Sequence, residues 1–400
     1  MSSIKIGSML PFRAATMSDA TEFRNGAELA IHEINSRGGI NGRPVSLVCV
    51  DSGDQSAVAV SVAAQRLVDE HGVHAIINGY NMGSHNSEYE VVADAGLIYI
   101  HSNTLIQHHD TIASDPDRYF GCFMGNPADY WYGQGFIKFI SWLRDSGQWR
   151  PESNRLAIIS GSRPYSIVIA RAMQSVAREF GWEVAFGPEI VETPTRDWRA
   201  ALEKARACKP AVLVNTHFYA SDLAHFHKQF LDDPFRCLVY MQYGGVHRSF
   251  TDIAGDHAEG VIVGTVIGLL ADRIGRAFAE RYAAAFGDAS TPEVGCVTYS
   301  AVHHYAMAAA IAGGTGGPYD PAEQNRKVAA VLRSVPFRSV VGTINYHPGW
   351  QAAIPYPDYT NDPSLGMPHL FYQIQKSGQE HEIIAPEPYT TARFRLPSWY

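Results

Sequence analysis

The sequence predicts an α/β fold of two doubly wound parallel-sheet lobes, on three observations. The first is a strand–helix–strand unit at the N-terminus with glycines at both turns. The second is a renewed alternation of apolar strands and helices between residues 156 and 241. The third is a length of 400 residues, enough for two cores of ordinary domain size. Such alternation builds parallel sheets because each strand must be carried back, usually by a helix, before the next can run beside it.

The opening unit starts with the apolar run Ile4–Leu10, stopped by Pro11. Phe23, Ala27, Ala30, Ile31 and Ile34 then recur at helical spacing until Gly38 and Gly39 end the helix. Gly42, Arg43 and Pro44 turn the chain into a strand, Val45–Val50, that runs out into Asp51, Gly53 and Asp54. Ala75–Asn78 reads as a strand, Ser84–Ala95 as a helix and Leu97–Ile100 as a strand, and the polar stretch Gly121–Pro127 reads as a crossover. The second series runs strand Leu156–Ser160, helix Tyr165–Phe180, strand Glu183–Gly187 and helix Trp198–Cys208. It continues with strand Ala211–Asn215, helix Ser221–Phe230 and strand Leu238–Met241. Two successive series argue for two lobes. Val261–Gly264 then reads as a strand, and Arg273–Phe286, Val297–Ala312 and Pro321–Val335 read as helices. From Tyr346 the chain is rich in proline and aromatics, and its apolar content predicts a packed extension rather than disorder.

The net charge of −8, with basic residues scattered, argues against a nucleic-acid partner. Cys49, Cys122, Cys208, Cys237 and Cys296 are widely spaced and odd in number, which predicts unpaired thiols, with one disulfide as the alternative in an oxidising compartment. No stretch approaches the roughly 20 apolar residues of a membrane span. The chain enters its first strand directly after Met1-Ser2-Ser3, so either an export signal has been removed or the protein is cytoplasmic.

The wording from Asn25 to Gln55, NGAELAIHEINSRGGINGRPVSLVCVDSGDQ, resembles the opening of type I periplasmic binding proteins of the branched-chain amino acid and amide/urea families. The resemblance covers residues 4–345, and the end Ile384–Tyr389 looks like the extended tail of the amide and urea branch. It implies a ligand cleft between two lobes joined by three hinge strands, with lobe 1 spanning 1–122 plus 255–340 and lobe 2 spanning 123–254 plus 341–400. It further implies a small-molecule ligand, delivery to an ABC permease in the membrane, no cofactor and no catalysis.

Ligands of open parallel sheets bind beyond the carboxyl ends of the strands, so the loops after each strand are the candidates. In the first lobe one such loop holds Tyr80, Asn81, Met82 and Ser84. Its glycines let backbone approach a ligand, and Ser84 is equally readable as a plain helix cap. The resemblance places an aromatic at Tyr80 and a hydroxyl where Met82 stands, a departure from the family pattern. His101, Ser102, Asn103 and Thr104 form a polar quartet after the next strand, in the segment where relatives hold the ligand's polar head; an ordinary turn is the plainer alternative. In the second lobe the candidates are Arg163, Tyr165, His217, Phe218, Gln242 and Tyr243. Tyr165 matches an aromatic wall of the cleft in relatives. Arg163 offers a fork of donors for a carboxylate, or is a solvated loop arginine.

In the resembling amino-acid binders a carboxylate follows the Leu238–Met241 strand and pairs with the ligand's ammonium. Gly244 stands there in this chain. Because a buried ammonium without a counter-charge is costly, an amide, a urea-like molecule or an aromatic acid is expected over a zwitterionic amino acid. The seventeen histidines show no metal-ligand spacing; Asp222 and His225 are the nearest approach to one. The run Gly313–Gly317 lacks the lysine of a phosphate loop, and no nucleophile elbow appears. Three functions compete: solute capture for an ABC importer, a cytoplasmic amide sensor of the same fold, and an α/β enzyme whose catalytic groups go unrecognised.

Overall fold

The computed structural model describes residues 2–12, 17–81, 83–375 and 380–400. The chain divides into two compact units: 1–128 with 267–368, and 129–266 with 369–400. The chain therefore passes between units three times.

The first unit is built on a sheet of β1 (Ile4–Leu10), β2 (Val45–Asp51), β3 (Ala75–Ile77), β4 (Ile98–His101) and β5 (Cys122–Met124). Its order is β2-β1-β3-β4-β5, and every pairing is parallel. Helices α1 (Met17–Ser36), α2 (Ala57–Asp69), α3 (Tyr89–Ala95) and α4 (Gln107–Ser114) connect these strands. Strand residues alternate between two cores, as a period of two requires. Ile77, Ile98 and Ile100 pack with Phe23, Ala27 and Ile31 of α1, while Ile76 and Tyr99 pack with Val60 and Leu67 of α2.

The second unit opens with α5 (Tyr130–Asp145) and carries β6 (Arg155–Gly161), α6 (Pro164–Ala177), β7 (Glu183–Val191) and α7 (Arg199–Ala207). It continues with β8 (Val212–Asn215), α8 (Ala220–Asp232), β9 (Leu238–Gln242), α9 (Arg248–Ala254) and β10 (Ile262–Thr265). The chain then supplies α10 (Arg273–Phe286), α11 (Pro292–Ile311) and α12 (Ala322–Ser334) to the first unit, followed by the short strands β11 (Phe337–Ser339), β12 (Gly342–Ile344), β13 (Pro355–Tyr356) and β14 (Met367–Pro368). Finally β15 (Leu370–Gln375) and β16 (Glu380–Ala385) join the second sheet, whose order is β16-β15-β10-β9-β8-β6-β7. Strands β6 to β10 run parallel, and the tail strands add antiparallel. The expected packed tail thus covers the open edge of β10, which would otherwise present unpaired backbone groups.

The crossings fall later than expected, each for a local reason. Cys122–Met124, read as crossover, is a buried strand paired to β4. β10 pairs with β9, so the return to the first unit waits until residue 267. Residues 341–368, expected in lobe 2, stay with the first unit because Ala352 bridges Met124 at the sheet edge. There Gln351 donates through Nε2 to the carbonyls of Tyr119 (3.1 Å) and Cys122 (2.7 Å). All five cysteines are free thiols.

Helices α1 and α11 cross where Gly26 faces Gly295. A Cβ at Gly26 would lie 2.0 Å from the Gly295 carbonyl oxygen, a distance no side chain tolerates. Thr298 Oγ1 donates to the Phe23 carbonyl (2.7 Å) in the same contact. Gly26→Ala should therefore force the helices apart and cost about 1–3 kcal/mol or more in urea unfolding. An unchanged midpoint would contradict the close crossing.

Candidate functional site

Both sheets share one topological feature. Reading outward from β1, the first sheet places β2 on one side and β3, β4 and β5 on the other; reading from β6, the second places β7 on one side and β8, β9 and β10 on the other. This is the 2-1-3-4-5 order in which ligands bind beyond the carboxyl ends of the strands, where the order reverses. The loops at those ends are 78–81 and 101–104 in the first unit, and 162–165, 216–219 and 242–247 in the second.

In the first unit the structure ties the two predicted loops together through Asn103. Its Oδ1 accepts the Asn81 N–H (2.9 Å), and its Nδ2 donates to Asn86 Oδ1 (2.9 Å) and Glu88 Oε1 (2.9 Å). The Ser102 N–H donates to the Gly79 carbonyl (2.8 Å), and the buried Asn81 takes a bond from Ser52 Oγ (3.1 Å). Tyr80 is half-buried; its hydroxyl donates to the Asp19 carboxylate and its ring meets Phe23 edge-on at 5.2 Å. Thr104 holds a left-handed backbone (φ 61°) with its hydroxyl on the Asn103 carbonyl (2.6 Å). Met82 lies outside the described residues.

Two candidates are fully buried and hydrogen-bonded within the first unit. Ser84 is fully buried, and its Oγ accepts the Asn86 N–H (3.1 Å) to close a turn. It caps no helix, because α3 begins only at Tyr89, after Asn86 has taken a left-handed conformation. His101 is likewise fully buried. Its Nδ1 accepts the Asn103 N–H (3.1 Å), so Nε2 carries the proton and donates to Tyr89 Oη. Tyr89 in turn donates to His108 Nδ1 (2.6 Å), and His108 Nε2 donates to the Gln351 carbonyl (3.2 Å). Burial holds His101 well below the usual histidine range and lowers His108 to about 3, with neighbouring His109 adding to the effect.

The second unit assembles an aromatic cluster. Tyr165, at the start of α6, stands edge-on to Tyr132 (5.9 Å) and Phe218 (5.7 Å), and its hydroxyl accepts from Gln242 Nε2 (2.5 Å). Tyr243 adopts φ 45° and packs against His247 at 5.0 Å. Arg163 is exposed before α6, close enough to Tyr219 and His217 to influence both. His217 is buried, lowered to about 4 by desolvation, with Nε2 3.4 Å from Asp222. Asp222 itself is buried and accepts the Thr195 N–H (2.7 Å) and the Ser221 hydroxyl (3.0 Å). No group of three or more metal-type ligands occurs among the described residues.

Gly244 is the tightest point. A Cβ there would lie 2.2 Å from the Phe218 carbonyl oxygen, so any side chain is excluded. Sequence reading missed Asp19, Glu88 and Asp129, the last a buried cap whose carboxylate accepts the Tyr130 N–H (2.9 Å) at the start of α5. Only their acidity next to strand-end loops could have marked them.

The comparisons place this two-sheet chain in a family. The periplasmic binding protein family model matches residues 3–355, and the chain belongs to that family. It shares 45% identity, full coverage of both chains and a TM-score of 0.95 with a Silicibacter pomeroyi protein provisionally assigned as a branched-chain amino acid ABC transporter. A Leu/Ile/Val-binding protein homolog 1 from Brucella abortus is 24% identical over 86% of each chain. An amino acid binding protein from Pseudomonas aeruginosa is 34% identical over 100 residues, a match spanning only 26% of that protein. The fold is that of type I periplasmic binding proteins, and membership of that family makes the chain a solute-binding protein rather than an enzyme.

The two buried histidines carry a pH consequence. Their native pKa values lie below the unfolded value of 6.5. The unfolded chain therefore takes up protons below pH 6.5 that the native state refuses, at His108 until the pH approaches about 3, and stability falls across that window. For His108 the loss at pH 4.5 relative to pH 7 should be about 2–3 kcal/mol. Urea unfolding at both pH values should show a flatter dependence in His108→Gln; equal slopes would contradict the neutral-histidine network.

Proposed function

We propose that this chain is the ligand-capturing component of an ABC importer for a neutral amide, a urea-like compound, an aromatic acid or an amino-acid derivative lacking a free ammonium. It would work in the periplasm and hand its ligand to a membrane permease. The observation that carries the reading is Gly244. The resembling amino-acid binders hold a carboxylate at that point, and here the Phe218 carbonyl fills the space a side chain would need. The nearby Asp222 does not replace it, because Thr195, Ser221 and His217 already surround its carboxylate. Asp129 is fully buried at a helix N-terminus, where the helix dipole stabilises its charge without a ligand. The relatives' names favour aliphatic amino acids; glycine at 244 weighs against a free ammonium.

Taken within each unit by itself, the strand-end candidates are Tyr80, Asn81, Ser102, Asn103 and Thr104 in the first, and Arg163, Tyr165, Phe218, Gln242 and Tyr243 in the second. Asn103 and Asn81 act chiefly by fixing the loops that carry their neighbours. Tyr80 and Tyr165 supply rigid rings with a polar tip, suited to a flat or apolar body.

Calorimetric titration tests the ligand class. Benzamide and benzoate should bind more tightly than leucine, isoleucine or valine. Tight binding of a branched-chain amino acid, with none of the amide or the acid, would overturn it. With the best binder in hand, Tyr80→Ala and Tyr165→Ala should each cost about 2 kcal/mol, roughly 30-fold in affinity, in variants shown by thermal unfolding to be folded. Unaltered affinity in both would show that these loops are not the site.

A further inference from the structure

We propose that Gln242 selects the ligand's head group, its side-chain carbonyl accepting an N–H from a carboxamide or urea. The inference rests on the ligand-binding reading above and narrows it. Gln242 ends β9 and is fully buried. Its Nε2 donates to Tyr165 Oη at 2.5 Å, while its Oε1 has no hydrogen-bond partner among the described residues. A buried acceptor left unpaired is costly, and native structures leave few of them.

The orientation of this amide follows from its neighbours. The Tyr132 ring stands edge-on to Tyr165 at 5.9 Å. Tyr132 Oη lies 3.3 Å from Thr265 Oγ1. Tyr165 Oη accepts the Gln242 Nε2 hydrogen at 2.5 Å. With Nε2 held on Tyr165, the carbonyl oxygen is the end of the amide left free among the described residues.

Nor does the neighbouring strand complete it. Asn215 Nδ2 is also buried without a partner, but Asn215 pairs in register with Met241. Residues in register share a face and successive residues alternate, so Asn215 and Gln242 project to opposite faces of the sheet. Gln242 shares its face with Tyr240, which stacks on Phe136 of α5 at 3.8 Å, the side on which Tyr132 and Tyr165 also stand. The free carbonyl thus sits among tyrosine rings at the ligand end of the sheet. A donor-bearing neutral head fits it, and a carboxylate does not.

The test is a titration of benzamide, benzoate, benzamidine and leucine against the wild type, Gln242→Leu and Gln242→Glu, with thermal unfolding confirming that each variant is folded. The wild type should prefer benzamide to benzoate. Gln242→Leu should weaken benzamide at least tenfold and leave benzoate within about threefold. Gln242→Glu should shift the benzamidine-to-benzamide ratio at least tenfold toward the cation. Benzamide affinity unchanged in Gln242→Leu, a wild-type preference for benzoate, or no binding of any probe would overturn the proposal. Leucine bound tightly and weakened tenfold by Gln242→Leu would instead overturn the ligand class above while keeping Gln242 as the selecting residue.

Discussion

Parallel pairing constrains everything else in this molecule. Five strands of each sheet run the same way, so each crossover must return the chain to the start and each strand must end at the same edge. The loops that leave those ends are gathered without any need for sequence neighbours to be functional neighbours. Tyr80 and Ser102 come together in this way, as do Tyr165, Phe218 and Gln242. The same constraint explains the tail: a parallel sheet that stops at β10 has a bare edge, and β15 and β16 close it antiparallel.

Gathered loops still have to be held. In the first unit the holding is done by neutral hydrogen bonding: Asn103 spans four partners, and two histidines kept uncharged by burial join its loop to the distant Gln351. In the second unit steric exclusion does the work. The Phe218 carbonyl against Gly244 fixes the turn after β9 and at the same time decides what chemistry that turn can offer. A residue can thus determine specificity by having no side chain.

Much of this was legible in the sequence, and the failures have physical causes. The opening strand–helix–strand unit and the second series show strong periodicity, and Arg273–Phe286 matches α10 to the residue. Helix α2 was not read because its start, AVAVSV, alternates like a strand. Helix α5 hid because YWYGQGFIKFISWLRD is buried on most sides and shows no polar stripe. His101 and Ser84 looked like ligand groups because polarity after a strand suggests a site. Their real partners, Tyr89, His108 and Asn86, become neighbours only on folding, and burial cannot be read from a single polar letter. The domain boundaries shifted because strand β5 has three residues and Ala352 meets Met124 from 228 positions away.

The central claim is that a ligand is recognised by the strand-end loops, through tyrosine faces and a neutral amide, with no acid after β9. A crystal structure of the protein grown with its tightest binder at high resolution tests that most directly. The account predicts ligand density against the Tyr165 ring, with a ligand donor within hydrogen-bond distance of Gln242 Oε1 and no ligand ammonium near Gly244. A ligand ammonium paired to a carboxylate beside Gly244, or density remote from both Tyr80 and Tyr165, would contradict it.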